Sequence, residues 1–311
     1  MNTSVLKSNL KKAREALGSC ELCPRRCRVN RLQGKKGFCK AGSRPAVYSW
    51  LSHPGEEPPI SGANGSGAVF FAHCTMQCVY CQNYKFSQLS GVKELSIEEL
   101  ADVMLALQKK GCHNINLVTP THYVPEIMEA LFIASENGLN IPIVYNTSGY
   151  ELITTLKMLD GIVDIYLPDM RYGDEMSAKR FSNAPDYVTI NQEAIKEMYR
   201  QAGNLALSDD GIAQKGLIIR HLVLPNGLAA SEKIFKFISE NVSKETYVSL
   251  MSQYHPVYRA SEFVEINRRI NTKEYEEVFN LLLKYGLLNG WVQEGSKEMD
   301  LRLLGTNIKK I

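Results

Sequence analysis

No stretch of this sequence approaches the roughly 18 to 20 consecutive apolar residues that a membrane-spanning helix requires. The first residues lack the continuous hydrophobic run of a secretory signal, because Lys7, Lys11, Lys12 and Arg14 interrupt it. Residence in the cytoplasm is therefore expected, and with it reduced thiols, so the eight cysteines point to metal or redox use and not to disulfides. Internal repeats and low-complexity segments are also missing. Net charge is scarce: +3 over 311 residues, with 44% apolar and 22% charged residues, describes an ordinary globular chain with room for one large domain and a small module.

That small net charge hides an asymmetry, since residues 1–50 carry twelve Lys and Arg against only Glu15 and Glu21. A zinc-containing nucleic-acid-binding module would have this appearance. The preferred reading is local: several of the cations surround thiolates, and four cysteinates around a divalent metal or a cluster core of equal charge leave about two negative charges to offset.

Seven of the eight cysteines fall in two groups. The first, Cys20-x2-Cys23-x3-Cys27-x11-Cys39, follows a short basic helix expected over residues 4–17. It can close a tetrahedral site on a module too small to have its own core, and either zinc or an auxiliary iron–sulfur cluster fits the spacing. The second, Cys74-x3-Cys78-x2-Cys81, offers three thiolates and no fourth cysteine. Three thiolates can hold three irons of a 4Fe-4S cubane and leave the fourth without a protein ligand, open to a substrate or cofactor. Zinc would want a fourth ligand, and a neighbouring His73 at this spacing is not a usual zinc-finger arrangement. The remaining thiol, Cys112, reads as a buried structural residue.

From residue 67 the chain alternates strand and helix. Apolar runs at 68–72, 114–118, 141–145, 164–167, 217–224 and 247–251 read as strands. Helices are expected over 124–137, 150–159, 192–202, 231–241 and 272–285, and one more begins at the capping box of Ser96 and Glu99 and stops at Gly111. Six strand–helix units imply parallel strands joined by crossovers, as an open or closed α/β barrel or a doubly wound sheet. The segment 45–67, rich in Gly and Pro, reads as a structured linker or hairpin. The division expected is a cysteine-rich metal-binding module with linker over 1–66 and an α/β domain over 67–311.

Polar residues gather where the strands end, as a barrel active site requires. They are Thr119, Thr121 and His122 after the second strand, Asn146, Thr147 and Ser148 after the third, and Asp169 and Arg171 after the fourth. Arg220 and His221 lie within the fifth, and Ser252, Gln253, Tyr254 and His255 follow the sixth.

The three-cysteine loop, with Tyr80 at its aromatic position, resembles the cluster loop of the radical S-adenosylmethionine (SAM) enzymes. The likeness is closest to the pyruvate formate-lyase activating enzymes and their uncharacterised relatives. It also rests on the four-cysteine module, Gly55-Glu-Glu-Pro-Pro-Ile-Ser-Gly62, Cys81-Gln-Asn83, Asn146-Thr-Ser-Gly149, Asp164-Ile-Tyr-Leu-Pro-Asp169 and Ile219-Arg-His-Leu-Val-Leu-Pro225. The resemblance implies a partial (β/α)6 barrel and a 4Fe-4S cluster on Cys74, Cys78 and Cys81. It also implies a SAM molecule bound by residues such as Tyr80, Thr119, His122, Asn146, Thr147, Asp169, Arg171, Arg220 and His255. Asp169 and Arg171 look like the acidic and basic pair that face the cofactor in activating enzymes. The implied activity is reductive cleavage of SAM to a 5'-deoxyadenosyl radical that abstracts hydrogen, either from a backbone glycine of a partner glycyl radical enzyme or from a small metabolite, with reduced ferredoxin or flavodoxin as electron donor. Two departures stand out: Val118-Thr-Pro-Thr-His122 replaces the usual Gly-Gly-Glu run, and His73 replaces a small residue. The competing function is an iron–sulfur electron-transfer or scaffold protein without a substrate of its own, although a ferredoxin would need four cysteines per cluster and no barrel.

Overall fold

Among the described residues, seven parallel strands occur in the sheet in the same order as in the chain, and this decides between the two α/β architectures. A computed structural model describes residues 2–89, 92–293 and 308–310. Its strands are β1 (Ala46–His53), β2 (Ser66–Phe71), β3 (Lys93–Glu94), β4 (Ile115–Val118), β5 (Ile143–Thr147), β6 (Ile165–Pro168), β7 (Ala206–Leu207), β8 (Ala213–Leu222), β9 (Tyr247–Met251), β10 (Gly290–Gln293) and β11 (Ile308–Lys310). The parallel set runs β2-β4-β5-β6-β8-β9-β10, each strand beside the next. A doubly wound sheet reverses its order at a switch point; this one does not, and it is a partial barrel. β1 adds antiparallel to the outer edge of β2, and β11 antiparallel to β10.

The helices are α1 (Thr3–Glu15), α2 (Pro58–Ser61), α3 (Tyr84–Ser87), α4 (Ile97–Lys109), α5 (Val124–Glu136), α6 (Ile153–Leu156), α7 (Glu175–Ser182), α8 (Tyr187–Ala202), α9 (Ser231–Asn241) and α10 (Thr272–Lys284). The expected capping box is formed: Ser96 Oγ accepts from the Glu99 amide at 3.1 Å while the Glu99 carboxylate accepts from the Ser96 amide at 2.7 Å. The helix expected over 150–159 is instead one short α-turn followed by a 3-10 turn at Lys157–Leu159. No helix among the described residues is long and apolar enough to cross a membrane.

Strand periodicity separates two apolar layers. Ile143, Tyr145, Tyr166, Leu217 and Ile219 face outward into the large core shared with the helices. Val144, Ile165, Leu167, Ile218 and Trp291 face inward and form a second, smaller core with Ile60 of α2. The linker is therefore part of the barrel: Glu57 precedes Pro58 at the first turn of α2, where a missing N–H costs nothing, and the turn inserts Ile60 among the inward-facing side chains. The N-terminal module shares the outer core through Leu6, Ala13 and Leu17. It is pinned by a hydrogen bond from Asn9 to the Met158 carbonyl (3.1 Å) and an ion pair between Arg14 and Glu129 (2.7 Å).

Candidate active site

The inner face turns from apolar to polar toward the C-terminal ends of the strands. By parity the next inward positions are Phe70, Val118, Asn146, Asp169, Arg220, Leu222, Ser249, Met251 and Gln293, and all of them line one cavity of about 430 Å³. Cys74, Cys78 and Cys81, on the loop that leaves β2, line its wall. Each sulfur has a polar neighbour. The Met76 amide donates to Cys74 Sγ (3.3 Å), Ser182 Oγ to Cys78 Sγ (3.0 Å), and Cys81 Sγ lies 3.3 Å from Ser87 Oγ. Arg171 reaches Cys78 Sγ at 3.6 Å.

Burial pushes the Cys74 thiol up to about 12, with Cys78 adding to the shift, and it raises the Cys81 thiol in the same way. Bare, these groups are protonated; an iron cluster supplies the positive charge that releases the protons. Among the described residues no three His, Cys, Asp or Glu side chains are drawn together at the spacing of a single ion. A cubane, which places each cysteine on its own iron, asks for a wider setting than one shared ion. With their sulfurs turned to a common cavity and supplied with donors, the three thiols fit such a cluster.

The fixed charges of the cavity are Glu56, Glu57 and Asp169 against Arg171 and Arg220. Asp169 Oδ2 accepts from Arg171 Nη2 at 2.5 Å. Burial works against the Arg171 charge, but Asp169 and Cys78 hold its pKa well above the ordinary value. Arg220 is fully committed: it reaches Glu57 at 2.7 Å through Nε and 2.6 Å through Nη2, contacts Glu56 through Nη2, and lies 3.3 Å from Asn146 Oδ1 through Nη1. Burial pushes the Glu57 carboxyl up, yet Arg220 outweighs it and holds the group below the usual range. Glu56 also accepts from Asn116 Nδ2 at 3.0 Å.

Of the residues expected at the site, Tyr80, Thr119, Asn146, Thr147, Asp169, Arg171 and Arg220 line the cavity, whereas His122 and His255 do not. Thr119 takes a left-handed conformation (φ 60°), and the 3-10 turn Thr121–Tyr123 folds back into the core. His122 therefore faces away from the cavity, with Nε2 2.8 Å from the Ala72 carbonyl, and burial lowers its pKa to about 3, leaving a neutral imidazole. His255 lies beyond the rim, its Nδ1 3.4 Å from Gln82 Nε2. The Thr147 hydroxyl is spent on the buried Glu151 carboxylate. His221, of opposite parity to Arg220, points outward to the Met170 carbonyl and Ser231 Oγ at 2.7 and 2.8 Å. Glu56 and Glu57 stand in the Gly55–Gly62 motif, but the sequence alone assigned them no place at the site, although two adjacent carboxylates before a Pro-Pro turn were a visible signal. It also passed over Ser182, which nothing local distinguishes.

In the N-terminal module, Cys20 and Cys23 are buried, while Cys27 and Cys39 are half-buried. The Phe38 amide donates to Cys27 Sγ (3.3 Å), and a Cβ on Gly37 would lie 2.8 Å from that sulfur, so the close turn requires glycine. Burial raises the Cys39 pKa, with Cys20 and Cys27 adding to it, while Arg31, itself buried, opposes.

The sequence model of the radical SAM superfamily matches residues 69–209. The chain is 33% identical over 286 residues to the uncharacterized protein MJ0674 of Methanocaldococcus jannaschii, an alignment covering 88% of this chain and 77% of that one. Among solved structures, HydG, a maturase of the FeFe-hydrogenase, superposes with a TM-score of 0.51 at 13% identity, over 96% of this chain and 58% of HydG. HydG from Carboxydothermus hydrogenoformans gives 0.50 at 13% identity, over 73% of this chain and 52% of that one. At such identity the likeness to HydG is one of fold, and the chain spans little more than half of those structures.

Proposed function

The chain belongs to the radical SAM superfamily, and from that membership we propose that it reductively cleaves SAM and uses the resulting radical to abstract a hydrogen atom from a backbone glycine of a partner protein. The observation that carries this reading is the convergence of three thiols on one cavity whose charged side chains hold one more carboxylate than guanidinium. A sulfonium cofactor with an ammonium and a carboxylate suits that mixture of charges. When bound, the cluster and SAM supply the electron and the carbon radical.

The protein's own residues bind, orient and exclude water. Cys74, Cys78 and Cys81 would hold the cluster. Asp169 and Arg171 offer adjacent partners for the cofactor's ammonium and carboxylate, while Asn146 and the backbone at Thr119 offer neutral ones. Arg220, saturated by Glu56, Glu57 and Asn146, fixes the positions of those groups and is a positioning residue. The electron donor proposed is a reduced ferredoxin or flavodoxin. The glycine target is taken from the likeness to activating enzymes; a small metabolite entering the same cavity is the alternative. We also propose that Cys20, Cys23, Cys27 and Cys39 hold a second metal centre.

Anaerobic reconstitution with iron and sulfide, followed by a deoxyadenosine assay with SAM and a strong reductant, tests the activity. The expected result is deoxyadenosine from the wild type and none from Cys78→Ala, which should also lose the cluster of the loop. A fully loaded wild-type protein that makes no deoxyadenosine would overturn the proposal.

A further inference from the structure

A single peptide unit joins the two cysteine groups. The carbonyl of Thr75 accepts from Arg25 Nε at 2.8 Å. At the other end of the same peptide, the Met76 amide donates to Cys74 Sγ at 3.3 Å. Arg25 in turn belongs to the four-cysteine module, two residues after Cys23. The path is continuous: along the chain from Cys23 to Arg25, across its hydrogen bond to the Thr75–Met76 peptide, and from there to Cys74.

The guanidinium in this path is held in place. It lies 3.9 Å over the ring of Phe38, the residue before Cys39, and 5.2 Å from the ring of Tyr150. Thr75 is 1% exposed and Leu22, Cys23 and Tyr150 are buried, while Arg25 itself is half-buried. A second contact runs in parallel. Arg31, beside Cys20 and Cys39, donates to the His122 carbonyl at 2.6 Å, and His122 Nε2 lies 2.8 Å from the Ala72 carbonyl, two residues before Cys74. Polarised hydrogen bonds in a dry, low-dielectric region couple charges at their ends strongly.

We infer that the four-cysteine module carries a redox-active iron–sulfur cluster that passes single electrons to the three-cysteine site through Arg25 and the Thr75–Met76 peptide. The inference rests on the radical SAM reading above. Each transfer oxidises the module cluster by one electron and reduces the catalytic cluster by one, with no bond made or broken. The module is then re-reduced by an external one-electron donor of the ferredoxin or flavodoxin class. The module's outer side is suited to an acidic donor protein, since residues 20–44 hold eight Lys and Arg against Glu21 alone.

The test uses the full-length chain, purified and reconstituted without oxygen. Iron and zinc are counted, and both clusters are followed by electron paramagnetic resonance during reduction by a flavodoxin. The wild type should hold about eight irons, the content of two cubanes, and the two reduced clusters should broaden each other's signals. Arg25→Met should keep the iron while the three-cysteine cluster becomes reduced several-fold more slowly. Arg25→Lys, which keeps the charge and shortens the reach to Thr75, should also be slow, and it guards against a packing defect in the first variant. Zinc in the module beside an intact three-cysteine cluster, or wild-type reduction rates in both variants, would overturn the relay and leave the radical reading standing. Failure of the three-cysteine loop to bind any cluster would instead remove that underlying reading.

Discussion

Cys78 sits at the end of a buried chain of hydroxyls. Tyr80 Oη lies 2.5 Å from Tyr172 Oη, which is 2.7 Å from Ser182 Oγ, which donates to the Cys78 sulfur at 3.0 Å. Hydrogen bonds to cluster sulfurs favour the more negative, reduced state and raise the potential. Ser182→Ala should therefore leave the cluster bound but shift its reduction potential to more negative values, by the equivalent of roughly 1 kcal/mol for one lost hydrogen bond. Potentiometric titration of the reconstituted protein checks this, and an unmoved potential would show that Ser182 only fills space. Glu151 makes a second prediction at this scale. Burial raises its carboxyl to about 7, against the stabilising hydroxyls of Thr121, Thr147 and Tyr145. The folded protein thus keeps a proton that the unfolded chain releases near the ordinary glutamate value of 4.5. Stability from this group should be present below that value and be lost as pH rises toward 7. Denaturant unfolding of wild type and Glu151→Gln at several pH values should show the difference moving in favour of the variant across that window, by up to roughly 3 kcal/mol. A pH-independent difference would contradict the shift.

Two helices hold the site's loops from outside. The C-terminal end of α7 accepts from the cysteine loop, with Val79 N to Phe181 O at 2.8 Å and Gln77 N to Ser182 O at 3.2 Å. At the first turns of α8, Tyr187 Oη lies 2.8 Å from the Ser148 carbonyl, and Asn191 Nδ2 donates to the carbonyls of Gly149 (3.1 Å) and Asp169 (3.0 Å). The loops after β5 and β6 are thereby fixed to each other. Gly149 makes this possible: its φ is +72°, and a Cβ there would lie 2.1 Å from Asn191 Nδ2 and 2.4 Å from the Asp169 carbonyl. Gly149→Ala should cost at least about 2 kcal/mol through strain and displacement of those groups, visible as a lowered unfolding midpoint. Both α7 and the start of α8 escaped the sequence reading. Lys179, Arg180 and neighbouring polar residues give the first helix a weak apolar stripe, and the periodicity of the second becomes clear only nearer its centre. The long apolar strands and the capped helix after β2 were legible because their signals are local.

At the scale of the whole molecule, the segment before the barrel cannot be detached from it. β1 covers the edge of β2, Ile60 fills the inner core, and Glu56 and Glu57 neutralise the buried Arg220. A chain beginning at residue 67 should therefore fail to fold cooperatively, because it would expose a bare strand edge and leave Arg220 without its counter-charges, an arrangement worth roughly 3 to 5 kcal/mol. Circular dichroism melts of the truncated and complete chains decide this; a sharp transition in the shorter one would show the barrel to be independent. The amino-acid sequence alone determined the candidate cluster ligands, since three cysteines within eight positions stay near one another in any fold, and it determined the alternation of strand and helix, which short-range periodicity encodes. Only the tertiary structure decided which polar groups face the cavity. Asn146, Asp169 and Arg220 face inward by the parity of their strands, His122 is carried away by one left-handed residue, and Glu57 meets Arg220 across 163 positions of chain. Such encounters depend on which strands become neighbours, and that is a property of the assembled sheet and not of any segment within it.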